Sequence, residues 1–265
     1  MSTATITVQQ RSTGPAGAIA SEWTKLWTVR STWLNLVAGA ALTGLLGIQF
    51  GFSTAYDNAH RPPGDVPGQS AVGGVGVSAV IIMQVVVAAF AMLPVTSEYS
   101  SGSIRSTVQW TPIRRNIVLA KAAVLAPVLF GYGLLVGLLA AVSGGLAMGH
   151  WADWSVDTLA VDLLSIATYL MLAGLFTAGI AFLIRSTAGT LTAAFLLLLM
   201  IPLMLGESSI RALVWVSALL PGGAGQNFLS GNTDPLPPTL SLVVLVLWSV
   251  AGLWIGVKVL CRRDA

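Results

Sequence analysis

Of the chain's 265 residues, 55% are hydrophobic and 9% charged, and the mean hydropathy is +0.82. A soluble domain carries roughly 25% charged residues, so the composition excludes an ordinary water-facing globule and makes lipid the expected solvent for most of the surface. The formal charge of +3 does not point to nucleic acid, because the thirteen Lys and Arg are dispersed and no basic helix or arm collects them.

In chain order, Met1 to Gly14 is polar and lacks the charged start, apolar core and small-residue cleavage site of a signal peptide. The expectation is a disordered cytoplasmic tail over residues 1–16, followed by a transmembrane domain over 17–265. From Ile19 to Trp33 the apolar residues Ile19, Trp23, Leu26 and Trp27 recur at helical spacing, with Glu22 and Lys25 on the other side. That pattern predicts an amphipathic interfacial helix over 17–32 with its tryptophans at headgroup depth.

A bilayer core about 30 Å thick needs about 20 apolar residues in a helix. Six stretches meet or approach this length: Trp33–Phe52, Ala71–Val95, Ala122–Met148, Leu159–Ile184, Ala188–Leu205 and Leu240–Val257. Their only charge is Asp162, three residues inside the fourth and close enough to the interface to be tolerated. The predicted fold is an all-α, six-span integral membrane protein.

Between the second and third spans lies a long loop, 97–121, with a helical stretch over Ile104–Trp110. It is followed by Thr111-Pro112, an N-cap and a first-turn proline. The third helix is therefore expected to begin in the cytoplasm, with Arg114, Arg115 and Lys121 as its snorkelling base. Leu213–Leu220 is too short to span and runs into Pro221-Gly222-Gly223. Broken backbone at membrane depth must be buried in protein or line a wet cavity, so Ser208–Leu229, within the outer segment 206–239, reads as an interfacial or re-entrant hairpin. Cys261, the one cysteine, excludes an internal disulfide and a multi-thiolate metal site. Beside Arg262 and Arg263 it reads as a free thiol, with palmitoylation as the alternative.

With the N-terminus inside, the inner segments hold Arg11, Lys25, Arg30, Arg105, Arg114, Arg115, Lys121, Arg185, Lys258, Arg262 and Arg263, and the outer ones only Arg61 and Arg211. Seven of the ten acidic residues (Asp57, Asp65, Asp153, Asp157, Asp162, Glu207 and Asp234) lie at the outer side. This asymmetry predicts both termini in the cytoplasm of a multi-pass plasma-membrane protein.

Small residues recur every four positions in the third span, at Gly133, Gly137, Ala141, Gly145 and Gly149, and the pairs Gly47/Gly51 and Gly252/Gly256 repeat the spacing. Such stripes let helices approach closely, either within one protomer or across a dimer seam. Chemistry is sparse. None of the three lysines sits in a phosphate loop, and His60 and His150 both fall in outer segments without a zinc-binding spacing. No two carboxylates face inward from different spans, so no proton relay or intramembrane hydrolase is indicated. No catalytic, cofactor-binding or metal-binding residue is expected. Gln84, Thr177 and Thr192 read as helix-to-helix hydrogen bonds.

The informative stretch is Ser97-Glu98-Tyr99-Ser100-Ser101-Gly102-Ser103-Ile104-Arg105. Glu98 stands at a helix C-terminus, where negative charge opposes the macrodipole, on a cationic inner face. Compensation is expected from Arg105 or from a basic patch on a partner. The following short helix puts Ile104 and Val108 on one face beside an exposed Trp110, as a contact patch would. Alternatively, that face packs on the chain's own interfacial helix.

These two segments resemble a known family. Ser21-Glu22-Trp23-Thr24-Lys25-Leu26, with Val29-Arg30-Ser31-Thr32-Trp33, looks like the start of actinobacterial permeases of the ATP-binding cassette (ABC) type-2 transporter family. The stretch from Ser97 to Arg105 is similar to that family's glutamate-tyrosine-glycine segment before its coupling helix, and Thr111-Pro112 with Arg114, Arg115 and Lys121 continues the likeness. Ser103 stands where the family usually has threonine. The resemblance implies a permease subunit of an ATP-driven exporter, dimerised to twelve spans, with two cytoplasmic ABC ATPase subunits that hold the ATP and Mg. It implies an ATPase contact at Glu98, Tyr99, Gly102, Ile104, Arg105 and Val108, supported by Glu22, Trp23, Lys25 and Trp27 of the interfacial helix. The near absence of charge within the spans favours a hydrophobic or amphiphilic cargo such as a drug, antibiotic, peptide or lipid-like compound. The competing readings are a secondary transporter, which would need ion-coordinating groups at the midplane, a membrane enzyme, and a non-transporting anchor or sensor subunit.

Overall fold

The computed structural model describes residues 14–61, 68–110 and 113–262, with the backbone alone at Pro15 and Trp110. Most of the expected tail, Asp65, and the Thr111-Pro112 start signal lie outside the described residues. The fold is almost entirely helical, and six helices are long and apolar enough to cross a membrane, which suggests a multi-pass membrane protein.

Helix α1 (Pro15–Thr28) begins with Gly14 as N-cap and Pro15 in the first turn, where the missing N–H costs nothing. Extended Val29 breaks it from α2 (Arg30–Ala59), the first span. The corner is closed by Trp27, whose ring packs on Trp23 and Trp33 and whose carbonyl accepts from the Trp33 indole at 3.2 Å. The second span is α3 (Val72–Ser100). Gly102, at φ 72°, turns it into α4 (Ile104–Trp110). This conformation is open to glycine and strained for most other residues.

The third span, α5 (Arg114–Met148), starts behind extended Ile113, which makes no side-chain cap. This is later than the proline-initiated start expected from Thr111-Pro112. The fourth is α6 (Val156–Ile184). The fifth comprises α7 (Thr187–Phe195), a π-helical turn at Leu196–Met200, and α8 (Ile201–Gly206). Pro202 explains the wide turn: it has no N–H for the Leu198 carbonyl four residues earlier. Then come α9 (Arg211–Leu219), α10 (Pro221–Ser230) and the sixth span, α11 (Pro238–Arg262). Each expected span is present. The first, second, third and sixth helices run several residues past the apolar stretch, because helical hydrogen bonding continues where the side chains turn polar.

Helices α6 and α3 form the centre. The most apolar stretch of α6 is 83% buried, against 22% for α2 and for the fifth span. The outer helices turn apolar faces outward, as Leu34, Leu45 and Phe52 of α2 and Leu247 and Val250 of α11 show. Glycine sets the close approaches. A Cβ on Gly51 would stand 2.4 Å from the Gly144 carbonyl oxygen, one on Gly133 2.6 Å from the Ala167 Cα, and one on Gly179 2.3 Å from the Gly252 carbonyl carbon. The small-residue stripes thus serve packing inside the chain. Gln84 accepts from the Tyr169 hydroxyl across α3 and α6, whereas Thr177 bonds the Ala173 carbonyl of its own helix at 2.8 Å and Thr192 is exposed. The helix-to-helix reading therefore holds for Gln84 and not for Thr177.

The α9–α10 pair folds back between the last two spans. Its tip carbonyl, on Leu219, accepts from the Trp248 indole at 2.8 Å. Trp248 lies ten residues into α11, about 15 Å along the helix at 1.5 Å per residue. The Ser217 hydroxyl donates to the Pro202 carbonyl at 2.7 Å, and Gly222 abuts the Leu198 carbonyl so closely that a Cβ would stand 1.9 Å from the oxygen. The backbone polar groups at the hairpin tip and the Pro202 break thus face protein partners. Exposed Arg211 and Asp234 pair across the mouth at 3.4 Å.

Candidate functional site: a charge network under the N-terminal helix

The described lysines and arginines other than Arg61 and Arg211 gather at one end of the helix bundle, the end that carries α1 and α4. There α1 lies with Glu22 turned inward. Ala18, Glu22 and Leu26, spaced by four, are buried, whereas Ile19 and Trp23 are exposed. Ile19 and Trp23 thus face outward and Lys25 stays exposed, and the departure from the expected pattern is Glu22, which is buried beside Leu26. The reason is the partner that Glu22 finds. Its Oε2 accepts from Lys121 Nζ of α5 at 2.6 Å, and its Oε1 from Lys25 Nζ at 2.7 Å.

Lys121 is only 2% exposed, so it does not snorkel from the base of α5. It also donates to Glu98 Oε1 at 3.0 Å and to the Pro94 carbonyl at 2.9 Å. Lys25 reaches the same Glu98 oxygen at 3.0 Å and the Thr107 hydroxyl of α4 at 3.5 Å. Two carboxylates and two ammonium groups, one from each of α3 and α5 and two from α1, form a net-neutral cluster that also touches α4. Glu98 is thus compensated within the chain by Lys25 and Lys121. Arg105, one of the two expected sources of compensation, is exposed and makes no ion pair with it. Burial alone would raise the Glu22 carboxyl, but the charges and hydrogen bonds of Lys121 and Lys25 hold it below its ordinary 4.5. Burial likewise disfavours the Lys25 ammonium, yet Glu22 and Glu98 raise it above its ordinary 10.5.

The remaining residues of the loop divide into two groups. Ile104 is 4% exposed, and Val108 and Tyr99 pack on a cluster that includes Met92, Val95, Ile117, Val118 and Phe182. Val108 of α4 therefore packs on the foot of the spans, and Ile104 is buried within the chain. The Arg185 guanidinium lies over the Tyr99 ring, 5.0 Å from its centroid. Gly102 and Arg105, with Ser101, Ser103 and Gln109, are exposed. The Trp110 side chain, expected on the surface, lies outside the described residues. Trp23 and Trp27 belong to the corner cluster and do not enter the network.

Lys121 is the central residue that sequence reasoning placed wrongly. The available signal was a lone lysine immediately before the apolar run that opens at Ala122, in a chain with three lysines and few inner acids. Among the described residues no group of three or more His, Cys, Asp or Glu could hold a metal. The chain matches no protein-family model and no curated protein.

Proposed function

We propose that the chain is the membrane-spanning subunit of an ATP-driven ABC type-2 exporter for a hydrophobic or amphiphilic compound. It works as a dimer with two cytoplasmic ATPase subunits, which carry ATP and Mg. In this reading the cationic end is cytoplasmic, with both termini there. Helix α1 is the interfacial helix, α4 the coupling helix, and α9–α10 a re-entrant hairpin from the outer side.

The observation that supports it is the charge network. The two segments whose sequence resembles the ATPase-contacting parts of such permeases, α1 and the turn from Glu98 to Arg105, are joined through Glu22, Lys25 and Glu98 to Lys121 at the foot of the third span. A push on the exposed Gly102–Arg105 surface would pass to α3 and α5 through groups that cannot part without leaving a buried charge unpaired. Ile104 and Val108 act in this scheme by fastening α4 to the spans, and the exposed Arg105 and its neighbours meet the partner.

The test is co-purification of the full chain with the candidate ATPase, followed by ATP hydrolysis with and without transported compound. Arg105→Glu, at an exposed position, is expected to lower ATPase association and compound-stimulated hydrolysis and to leave thermal stability unchanged. Ile104→Asp is expected to lower stability first. Stoichiometric, saturable ATP binding by the isolated chain, or full coupling in Arg105→Glu, counts against the proposal.

A further inference from the structure

Between α1, the first turn of α2, the last turns of α3 and α4 lies a cavity of about 380 Å³. Glu22, Lys25, Glu98 and Lys121 line one side, and Leu26, Val29, Phe90 and Leu93 give it apolar walls. It is thus charged at one end and oily beside it, at the level where the first two spans leave their apolar stretches.

The hydrogen bonds of the lining decide what kind of ligand fits. An ammonium has three donors. Lys121 directs its three to Glu22, Glu98 and the Pro94 carbonyl, and Lys25 reaches Glu22, Glu98 and Thr107. Ser97 and Ser106 give their protons to the carbonyls of Leu93 and Ser103 and keep oxygen lone pairs for the cavity. Glu98 is 7% exposed, and its Oε2 is buried and accepts no hydrogen bond among the described residues. The unused capacity is therefore acceptor, including one carboxylate oxygen whose burial without a donor is costly. A phosphate or carboxylate would find no free lysine proton. A quaternary ammonium would offer no N–H.

We propose that this cavity binds the primary-ammonium end of an amphiphile, with Glu98 Oε2 accepting from the ammonium and Leu26, Val29, Phe90 and Leu93 covering the start of its apolar chain. The ligand is either an aminophospholipid of the surrounding bilayer or a free single-chain amine, which share this chemistry. The inference stands on the cavity and its hydrogen bonds, and holds whether or not an ATPase drives the chain.

The experiment uses the full chain in nanodiscs of dioleoylphosphatidylcholine, with ligand retention read by native mass spectrometry. One arm includes dioleoylphosphatidylethanolamine as a minor lipid, and a second is titrated with oleylamine or with oleyltrimethylammonium. Enrichment of phosphatidylethanolamine over phosphatidylcholine assigns the site to a bilayer lipid, and binding of oleylamine alone assigns it to a free amphiphile. Either supports the proposal. Binding of neither, or of the trimethylated amine as tightly as oleylamine, overturns it. Glu98→Gln is expected to weaken binding about tenfold, the worth of one hydrogen bond to a charged group. Ser106→Trp fills the cavity from its exposed rim without touching the network. It is expected to keep the thermal transition and lose the ligand, and unchanged affinity in that variant overturns the proposal even if Glu98→Gln fails to fold.

Discussion

Lys121 shows how a charge is kept inside an apolar protein. Removing an ammonium from water costs several kcal/mol, and its attraction to carboxylates offsets this only when geometry and hydrogen bonds are good. Here all three of its donors have partners within 3.0 Å. Lys121→Met is expected to cost about 3–5 kcal/mol, because it leaves Glu22 and Glu98 facing Lys25 alone. Adding Glu22→Gln restores neutrality and should recover part of the loss, a non-additivity that thermal unfolding of the two single variants and the double variant would read directly. The network also sets a pH window. Glu22 has its folded value lowered, so its contribution is present above its ordinary 4.5 and lost as pH falls through the folded value. Lys25 has its value raised, so its contribution is present below its ordinary 10.5 and lost as pH rises through the folded value. The anchoring of α1 is therefore expected to be strongest between these limits, and the melting midpoint should fall at both extremes less steeply in the double variant Glu22→Gln/Lys25→Met. A melting curve with equal pH dependence in both proteins would place the titrating groups elsewhere.

At the scale of elements, glycine and carbonyl geometry decide which helices touch. The crossing of α6 and α11 rests on Gly179 against the backbone of Gly252, so Gly179→Ala must push the helices apart. A cost of about 1–3 kcal/mol is expected from overpacking. Gly131→Ala is the control, since nothing lies within 4 Å of a Cβ at that position, and it is expected to be neutral or slightly stabilising. Unfolding midpoints in detergent would separate the two. The folded-back α9–α10 pair depends on a different device, the indole of Trp248 donating to the tip carbonyl of Leu219. Trp248→Phe keeps the ring in place and orphans that carbonyl, for an expected loss of about 1–3 kcal/mol. Faster hydrogen exchange in residues 217–224 than elsewhere in the chain would locate the effect at the hairpin.

At the scale of the whole molecule, the division of charge between the two ends carries the orientation. Cysteines placed at exposed Asp57 and Asn232 are expected to react with an impermeant thiol reagent in intact cells, and Ser103→Cys and the native, exposed Cys261 are not. Labelling at Ser103→Cys from outside would reverse the topology and separate α4 from any cytoplasmic partner.

Much of this architecture was legible without coordinates. Twenty apolar residues in a row have one solution in lipid, a helix that satisfies its own backbone, so the six spans follow from composition and length alone. The Gly102 turn into a helix from Ile104 to Trp110, and the break at Pro221 between the fifth and sixth spans, are equally local. They rest on backbone freedom and a missing N–H, which belong to single residues. The burial of Glu22 in α1 was not legible. Its spacing puts Glu22 on the polar side with Lys25, and Glu22 is nevertheless buried because Lys121, about a hundred positions away, supplies the charge that makes burying it favourable. The same holds for Glu98, which pairs with lysines on two other helices rather than with the nearby Arg105, and for Val108, which packs on residues of α3, α5 and α6. Periodicity along one helix reports how polar each face is. Which polar face is buried depends on opposite charges brought from distant segments, and those meet only when the helices pack.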